Sequence, residues 1–498
     1  MNSLPDGVRW IPVSSHADSR GTLAAFDRDT LPFEPVRTFV ITDVPPGAKR
    51  GGHVTSCDEF FTIQAGQCRL LLSRDDVSTS LLLDNPRHGV MVAAGVFLEV
   101  AEFSPDALLI VMASQSHAAD VLARPRRSVA QRQPLRSADP SRRFAEHGSE
   151  IKRAIALVFE SGRFILGPEC AGFERGFADY LGVRHAIGVG SGTQAITLAL
   201  KALGVGRGDE VITASLTFVA TALAIEATGA KAVLVDVDPG SRCIDVAALE
   251  SAITPETAAI VPVHLHGFPA AMPEIMQIAT RRGLAVVEDC AQSHGAVVAG
   301  QRTGSFGHAA AFSFYPTKNL GAAGDGGAVV TNDAAVAERV SRLRNYGMDD
   351  AGSCVGPGVN GRLDELQAAV LRVLLPRLDA HNASRRALAA QYRSRLEGAT
   401  LELPPHGEGA VYHQFAVALD ARDAVRRRLK DTHGIETAIH YARGVHQHPH
   451  FFRPGASLPV TESLTARLLS LPIQSQVAAG RIDAIADALM ESIAACRS

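Results

Sequence analysis

Residues 310–330 read AAFSFYPTKNLGAAGDGGAVV. Ala311, Phe312, Ser313 and Phe314 alternate like a strand, Pro316-Thr317-Lys318 interrupts them, and Gly321, Gly324, Gly326 and Gly327 lead into a second apolar run. The pattern predicts one lysine held between two strands by backbone that can bend tightly. Lys318 would then be partly desolvated, with a lowered pKa and a neutral amine able to form a Schiff base with a carbonyl. On this stretch alone a surface lysine on a hairpin reads equally well, so the decision falls to the rest of the chain.

Working outward, helix and strand patterns alternate from residue 148 onward. Helices are expected at 171–181, 193–203 and 218–228, and strands at 185–190, 210–215, 232–237, 258–265 and 284–289. This rhythm predicts a mostly parallel α/β sheet covered on both faces. Residues 362–396 read as one long helix, and a smaller α/β piece closes the chain.

In open parallel sheets ligands lie beyond the carboxyl ends of the strands. Gly190-Ser191-Gly192-Thr193-Gln194 would open a helix whose free N–H groups suit a phosphate, although Ser and Thr there are equally plain N-caps. Phe218, after the strand 210–215, could offer an aromatic face to a flat ring or be an ordinary core residue. Asp289, followed by Gln292 and His294, could hydrogen-bond a protonated ring nitrogen or cap a helix. Ser313 is a second candidate phosphate ligand. A Schiff-base lysine, a pyridinium partner, a stacking residue and a phosphate cup together match what pyridoxal 5′-phosphate requires.

The front of the chain differs. Residues 1–117 read as short strands at close spacing (VRWIPV, VRTFVITDV, EFFTIQAG, QCRLLLS, GVMVAAGVFLEVAEF, ALLIVMAS), which predicts a β-sandwich or jelly roll. Residues 118–147 carry Arg124, Arg126, Arg127, Arg132, Arg136, Arg142 and Arg143 with little apolar periodicity and read as a linker rather than a nucleic-acid patch. With 498 residues, 46% hydrophobic and 20% charged, the chain has the balance of a multidomain globular enzyme. A net charge of −3 gives no field for nucleic acid or an anionic membrane. Seven scattered cysteines form no C-x-x-C pair, against both a disulfide framework and a zinc site. The absence of a long apolar run and of a leader pattern fits a cytoplasmic protein.

Nine islands carry a resemblance: SGRFILGPE (161–169), VGSGTQA (189–195), SLTFVAT (215–221), VEDCAQSHGA (287–296), FSFYPTKNLGAAGDGG (312–327), LRNYG (343–347), GVNGRLDELQAA (358–369), YHQF (412–415) and IHY (439–441). Residues 148–498 thus resemble the sugar aminotransferases of the DegT/DnrJ/EryC1/StrS family, with the fold-type I pyridoxal phosphate architecture. The resemblance implies a large domain over 148–380 and a small one over 381–498. It implies Lys318 as the Schiff-base lysine, Asp289 on the pyridine nitrogen, Gln292 near the phenolic oxygen and Phe218 over the ring. Gly192, Thr193 and Ser313 would hold the phosphate, with Asn360 reaching the phosphate of a neighbouring subunit in a homodimer with shared sites. Some members carry histidine in place of the lysine and are dehydratases, whereas Lys318 aligns this chain with the transaminases. His413, His440 and His446 lie in segments resembling the substrate-facing C-terminal region, where each reads equally as a core or surface histidine.

SRGTL (19–23), RGGHVTS (50–56), EFFTIQAGQCRLLL (59–72) and GVFLEVAEFSPDALLIVMAS (95–114) resemble the cupin 3,4-ketoisomerases of nucleotide-linked 4-keto-6-deoxy sugars. Those enzymes carry His-x-His where this chain reads His53-Val54-Thr55, and a hydroxyl cannot stand in for an imidazole as proton acceptor. The cupin therefore reads either as an altered isomerase using His53, or as a degenerate module that binds the nucleotide sugar or supports assembly, with the second favoured. No metal is expected there. The expected activity is amination, with glutamate as donor, at C3 of a dTDP-linked 3-keto-6-deoxyhexose. The rivals are a 4-keto sugar or cyclitol ketone as acceptor, and a non-catalytic sugar-sensing scaffold.

Overall fold

Alternation of inward apolar and outward polar side chains folds the front of the chain into two large antiparallel sheets, beside a two-stranded one of Ser14–Asp18 and Gly21–Ala25. The computed structural model describes residues 4–18, 21–26, 31–45, 47–75, 77–115, 136–407, 409–477 and 479–496. They divide into two units, 1–133 and 134–498. In the first unit one sheet runs in the order Val8–Pro12, His88–Val92, Glu59–Ala65, Leu108–Ala113, Arg37–Ile41. The other runs Arg50–Val54, Phe97–Ala101, Cys68–Arg74, Val77–Leu83. Phe61, Ile63 and Val111 from the first and Leu70, Leu72 and Leu98 from the second share one core, as a jelly roll requires.

The run 89–103, read as one strand, is two, because Gly95 turns the chain at φ +92° between His88–Val92 and Phe97–Ala101. Two further strands, Ser14–Asp18 and Arg50–Val54, are too polar or too rich in glycine to announce themselves.

The second unit is built on a seven-stranded sheet in the order His185–Val189, Gly327–Thr331, Ala309–Ser313, Ala285–Asp289, Thr257–Val261, Glu210–Ala214, Lys231–Val235. Gly327–Thr331 is antiparallel to both neighbours and the remaining pairs are parallel. Successive residues face opposite layers: Val287 packs with Ala195 and Ala199 of the helix Gly192–Ala202, and Val286 with Met272 and Ile275 of the helix Met272–Arg282. A third layer of contact, Phe173, Phe177, Phe312 and Phe314, closes under the lysine stretch with edge-to-face rings 5.0–5.4 Å apart.

Two expectations change here. The helical pattern 362–396 is interrupted: Glu365–Leu374 and Leu378–Leu396 are joined by a 3₁₀ turn at Leu375–Arg377, because Pro376 supplies no backbone N–H. The linker is also shorter than its composition suggested. Residues 116–135 lie outside the described residues, but Pro140–Glu146 is a helix of the second unit and Arg143 on it is buried. Further along, Phe415–Ala418 and Leu468–Leu471 pair beneath Arg422–His433 and Ala479–Ala495, with Tyr392 stacked 4.8 Å from Phe415 in their core.

Candidate active site

The segments that leave the carboxyl ends of His185–Val189, Glu210–Ala214 and Ala285–Asp289, together with the lysine turn, carry the polar groups of the site. Ser191 caps the helix Gly192–Ala202, its hydroxyl accepting from Gln194 N at 3.2 Å. That leaves the first-turn N–H groups of Gly192 and Thr193 for an outside acceptor. A Cβ at Gly192 would lie 2.6 Å from Ser313 Cβ, and one at Gly327 would lie 2.4 Å from the Ser191 carbonyl oxygen. Only glycine permits this approach. Ser313 is thereby brought against the helix start, and Thr193 is exposed beside it.

Asp289 ends its strand buried, with Oδ2 accepting from Thr221 Oγ1 at 2.9 Å and Oδ1 from Ala291 N at 3.1 Å. Burial raises its pKa, while the Ala291 N–H, the Thr221 hydroxyl and the Lys318 charge oppose the rise. A cation placed against this carboxylate would keep it ionised. The strand end is fixed from behind by Glu288, whose oxygens accept from Gly304 N (2.8 Å), Phe306 N (2.8 Å) and Gly307 N (2.9 Å) and meet His264 Nε2 at 3.1 Å. Thr221, Glu288 and His264 escaped the sequence reading. The signal was there for Glu288, since an acid inside an apolar buried strand has to find donors.

Lys318 is partly buried. Desolvation lowers its amine to about 8 against the raising effect of Asp289. Asn319 anchors the turn, its Nδ2 donating to Asn382 Oδ1 (2.8 Å) and the Val411 carbonyl (3.1 Å). The Asn319 Oδ1 is then the acceptor for His413 Nδ1 at 3.1 Å, which leaves His413 Nε2 unprotonated. His294, His413 and His440 all sense the Lys318 charge, and burial first, then that charge, holds them neutral: His294 at about 3, His440 at about 4 and His413 well below its usual value. Gln292 accepts from His266 N at 2.7 Å and donates to Tyr441 Oη at 2.8 Å, leaving one amide N–H free. Tyr441 lies 5.7 Å from Phe218, whose ring is 55% exposed and presents an open face.

Three predicted residues stand apart. His446 is not a free sugar contact: its Nδ1 is 2.6 Å from Ser215 Oγ and its Nε2 3.2 Å from Glu462 Oε1, so both nitrogens are engaged in a clamp. Asn360 is exposed, and the carbonyl of the next residue, Gly361, accepts from Gly190 N at 3.2 Å. His53 belongs to the other unit, exposed on Arg50–Val54, and Thr55 two residues on is buried. The Thr55 hydroxyl donates to the Ala93 carbonyl at 2.7 Å and accepts from Val96 N at 3.3 Å, latching the turn at Gly95.

The model of the DegT/DnrJ/EryC1/StrS aminotransferase family matches residues 145–490. The chain belongs to this family. A second family model, described as WxcM-like, C-terminal, matches residues 6–127, so this aminotransferase is fused behind a cupin of that kind. The chain is 46% identical over 354 residues to a dTDP-3-amino-3,4,6-trideoxy-alpha-D-glucose transaminase from Streptomyces venezuelae, covering 70% of this chain and 93% of that protein. It is 44% identical over 353 residues to a UDP-N-acetyl-3-dehydro-alpha-D-glucosamine 3-aminotransferase from Acidithiobacillus ferrooxidans, covering 70% and 95%. The crystal structure of S. venezuelae DesV in complex with a ketimine intermediate superposes with a TM-score of 0.70 at 46% identity, over 72% of this chain and 98% of that one. The chain is therefore a pyridoxal-phosphate-dependent sugar aminotransferase. No helix among the described residues is long and apolar enough to cross a membrane.

Proposed function

We propose that this aminotransferase places an amino group on C3 of a nucleotide-linked 3-keto-6-deoxyhexose, most simply a dTDP sugar, with glutamate as donor. The observation that carries the position is the pair of relatives above, whose names put the new amine at C3 in a dTDP and a UDP series. The fused cupin, of a kind that resembles enzymes producing 3-keto sugars, points the same way.

The residues present fit pyridoxal phosphate. The Gly192–Ser313 cradle, which any Cβ would fill, takes the phosphate on the N–H groups of Gly192 and Thr193 and the Ser313 hydroxyl. Asp289, held ready by Thr221 and Ala291, would take the ring nitrogen as a charge-assisted partner, Gln292 would offer its free N–H to the phenolic oxygen, and Phe218 would stack against the ring. The coenzyme supplies an aldehyde that captures amines and a ring that accepts electrons. Lys318 supplies the amine. With a pKa of about 8, roughly a tenth of it is neutral at pH 7, enough to serve as the base that takes the proton from the donor's Cα. The neutral His413 and His440 add no positive charge against that amine.

The enzyme acts as a homodimer whose partners complete each other's sites. Phe159, Phe164, Ile165, Leu166 and Val355 are exposed apolar residues of the unit that carries the exposed Asn360, and exposed apolar surface of this kind is what a second copy would cover. The cupin is a non-isomerising module: threonine stands at position 55, where those isomerases carry the second histidine of the motif, and the Thr55 hydroxyl is committed to backbone.

The deciding assay incubates the protein with glutamate and dTDP- and UDP-linked 3-keto and 4-keto sugars, with and without a separate 3,4-ketoisomerase, and identifies products by mass and NMR. Amination of the 3-keto sugar directly, and of the 4-keto precursor only when the isomerase is added, is expected. Direct amination at C4 would defeat the C3 assignment.

A further inference from the structure

Arg143 lies on the helix Pro140–Glu146, in a stretch whose composition reads as linker, yet it is only 6% exposed. Its Nη1 donates to the carbonyl oxygens of Lys318 at 2.8 Å and Asn319 at 3.0 Å, and its Nη2 donates to that of Pro316. Three of the four carbonyls from Pro316 to Asn319 are thus held by one guanidinium. The room for it is made by Gly321, where a Cβ would lie 2.6 Å from Nη2. Burial lowers the guanidinium to about 10. A neutral donor would close an ordinary turn; a desolvated cation there implies that the geometry of its fork matters.

We propose that Arg143 is a positioning residue for the amination reaction: its planar fork fixes the Pro316–Asn319 turn and so sets where the Lys318 amine is presented. This rests on Lys318 being the reacting amine. The guanidinium is engaged with the backbone carbonyls of the turn and acts through the backbone on which the amine is mounted. The charged and titratable groups facing that amine are Asp289, His294, His413 and His440, and their balance with it holds only while the amine stays in its desolvated place. If the turn relaxes, the amine gains water and its pKa returns toward that of an ordinary lysine.

The test uses the full chain freed of coenzyme, acylated at graded pH and read at Lys318 by peptide mass spectrometry. In the unmodified protein the labelling of Lys318 should rise with a midpoint of about 8. Arg143→Gln should raise that midpoint by about one unit or more. In the coenzyme-loaded enzyme it should lower kcat by about 10- to 100-fold with little change in KM, the scale on which a displaced catalytic group acts. Arg143→Lys keeps the charge but loses the fork, and should show the same shift. Ile151→Ala removes a buried side chain from the core cluster that Phe314 and Leu320 share but breaks no hydrogen bond of the turn, so it should lower Tm and leave the midpoint in place. An unmoved midpoint in Arg143→Gln, normal behaviour of Arg143→Lys, or an equal shift in Ile151→Ala would each overturn the proposal. Because the labelling needs no substrate, it still reports on the clamp if Lys318→Ala retains turnover and the functional reading fails.

Discussion

The two units carry polar residues in opposite ways. In the aminotransferase, Asp289, Gln292, Lys318 and His413 are buried or nearly so, each tied to named partners, and residues more than a hundred positions apart share one set of charges. In the cupin, His53 stands exposed on its strand while the neighbouring Thr55 is locked into a turn. Perturbed groups in a shared enclosure mark where chemistry is done, and an isolated exposed imidazole does not.

The largest effect that would break this contrast is on turnover. Lys318→Ala should lower steady-state transamination by about a thousandfold or more, while His53→Ala leaves it unchanged. Comparable losses from both would put the chemistry in the two units together. Asp289→Asn should follow with about a hundredfold loss in kcat, equivalent to about 2.7 kcal/mol, since an amide cannot pair with a ring cation.

A third difference is in acid. His266, His294, His413 and His440 are held neutral by burial, the first two near about 3 and His440 at about 4, and all four lie in the second unit. Their folded pKa values lie below the unfolded value of about 6.5, so the unfolded chain binds protons first and stability falls as pH drops below about 6.5. Urea unfolding from pH 7 to pH 4.5 should show the aminotransferase transition moving to lower denaturant over this interval. A transition independent of pH would mean that these rings are solvated.

The smallest effect sharpens the picture of the cupin. Thr55→Val removes a buried donor and acceptor and should destabilise that unit by about 1–3 kcal/mol. Thr55→His, which would rebuild the missing imidazole pair in sequence, should destabilise it as well and restore no exchange at C3 of a 4-keto sugar, because position 55 is enclosed. Rapid exchange would show that the latch can open.

Much of the fold was legible where burial on both faces enforces apolar runs: the expected strands at 185–190, 210–215 and 284–289 match His185–Val189, Glu210–Ala214 and Ala285–Asp289 within one residue at each end. The lysine turn was legible because its glycines are required by contact, as at Gly327. Arg143 was not. Its partners are backbone carbonyls, which leave no trace in sequence, and its arginine-rich surroundings pointed toward solvent. His446 stayed open between sugar contact and core histidine for a related reason: Ser215 and Glu462, which engage its two nitrogens, lie far from it in the chain or carry no motif. Pro376 was visible throughout, but helical periodicity on both sides hid the break.

The Ser215–His446–Glu462 clamp has a consequence for anyone recombining such enzymes. Ser215 opens the loop that carries Phe218, so the wall we propose to cover the ring is fastened to a segment over two hundred residues downstream. Exchanging the carboxyl-terminal third for that of a relative, in order to change which sugar is accepted, would unfasten the wall unless the SLTF loop travels with it. The unit such an exchange has to carry is a pair of distant segments.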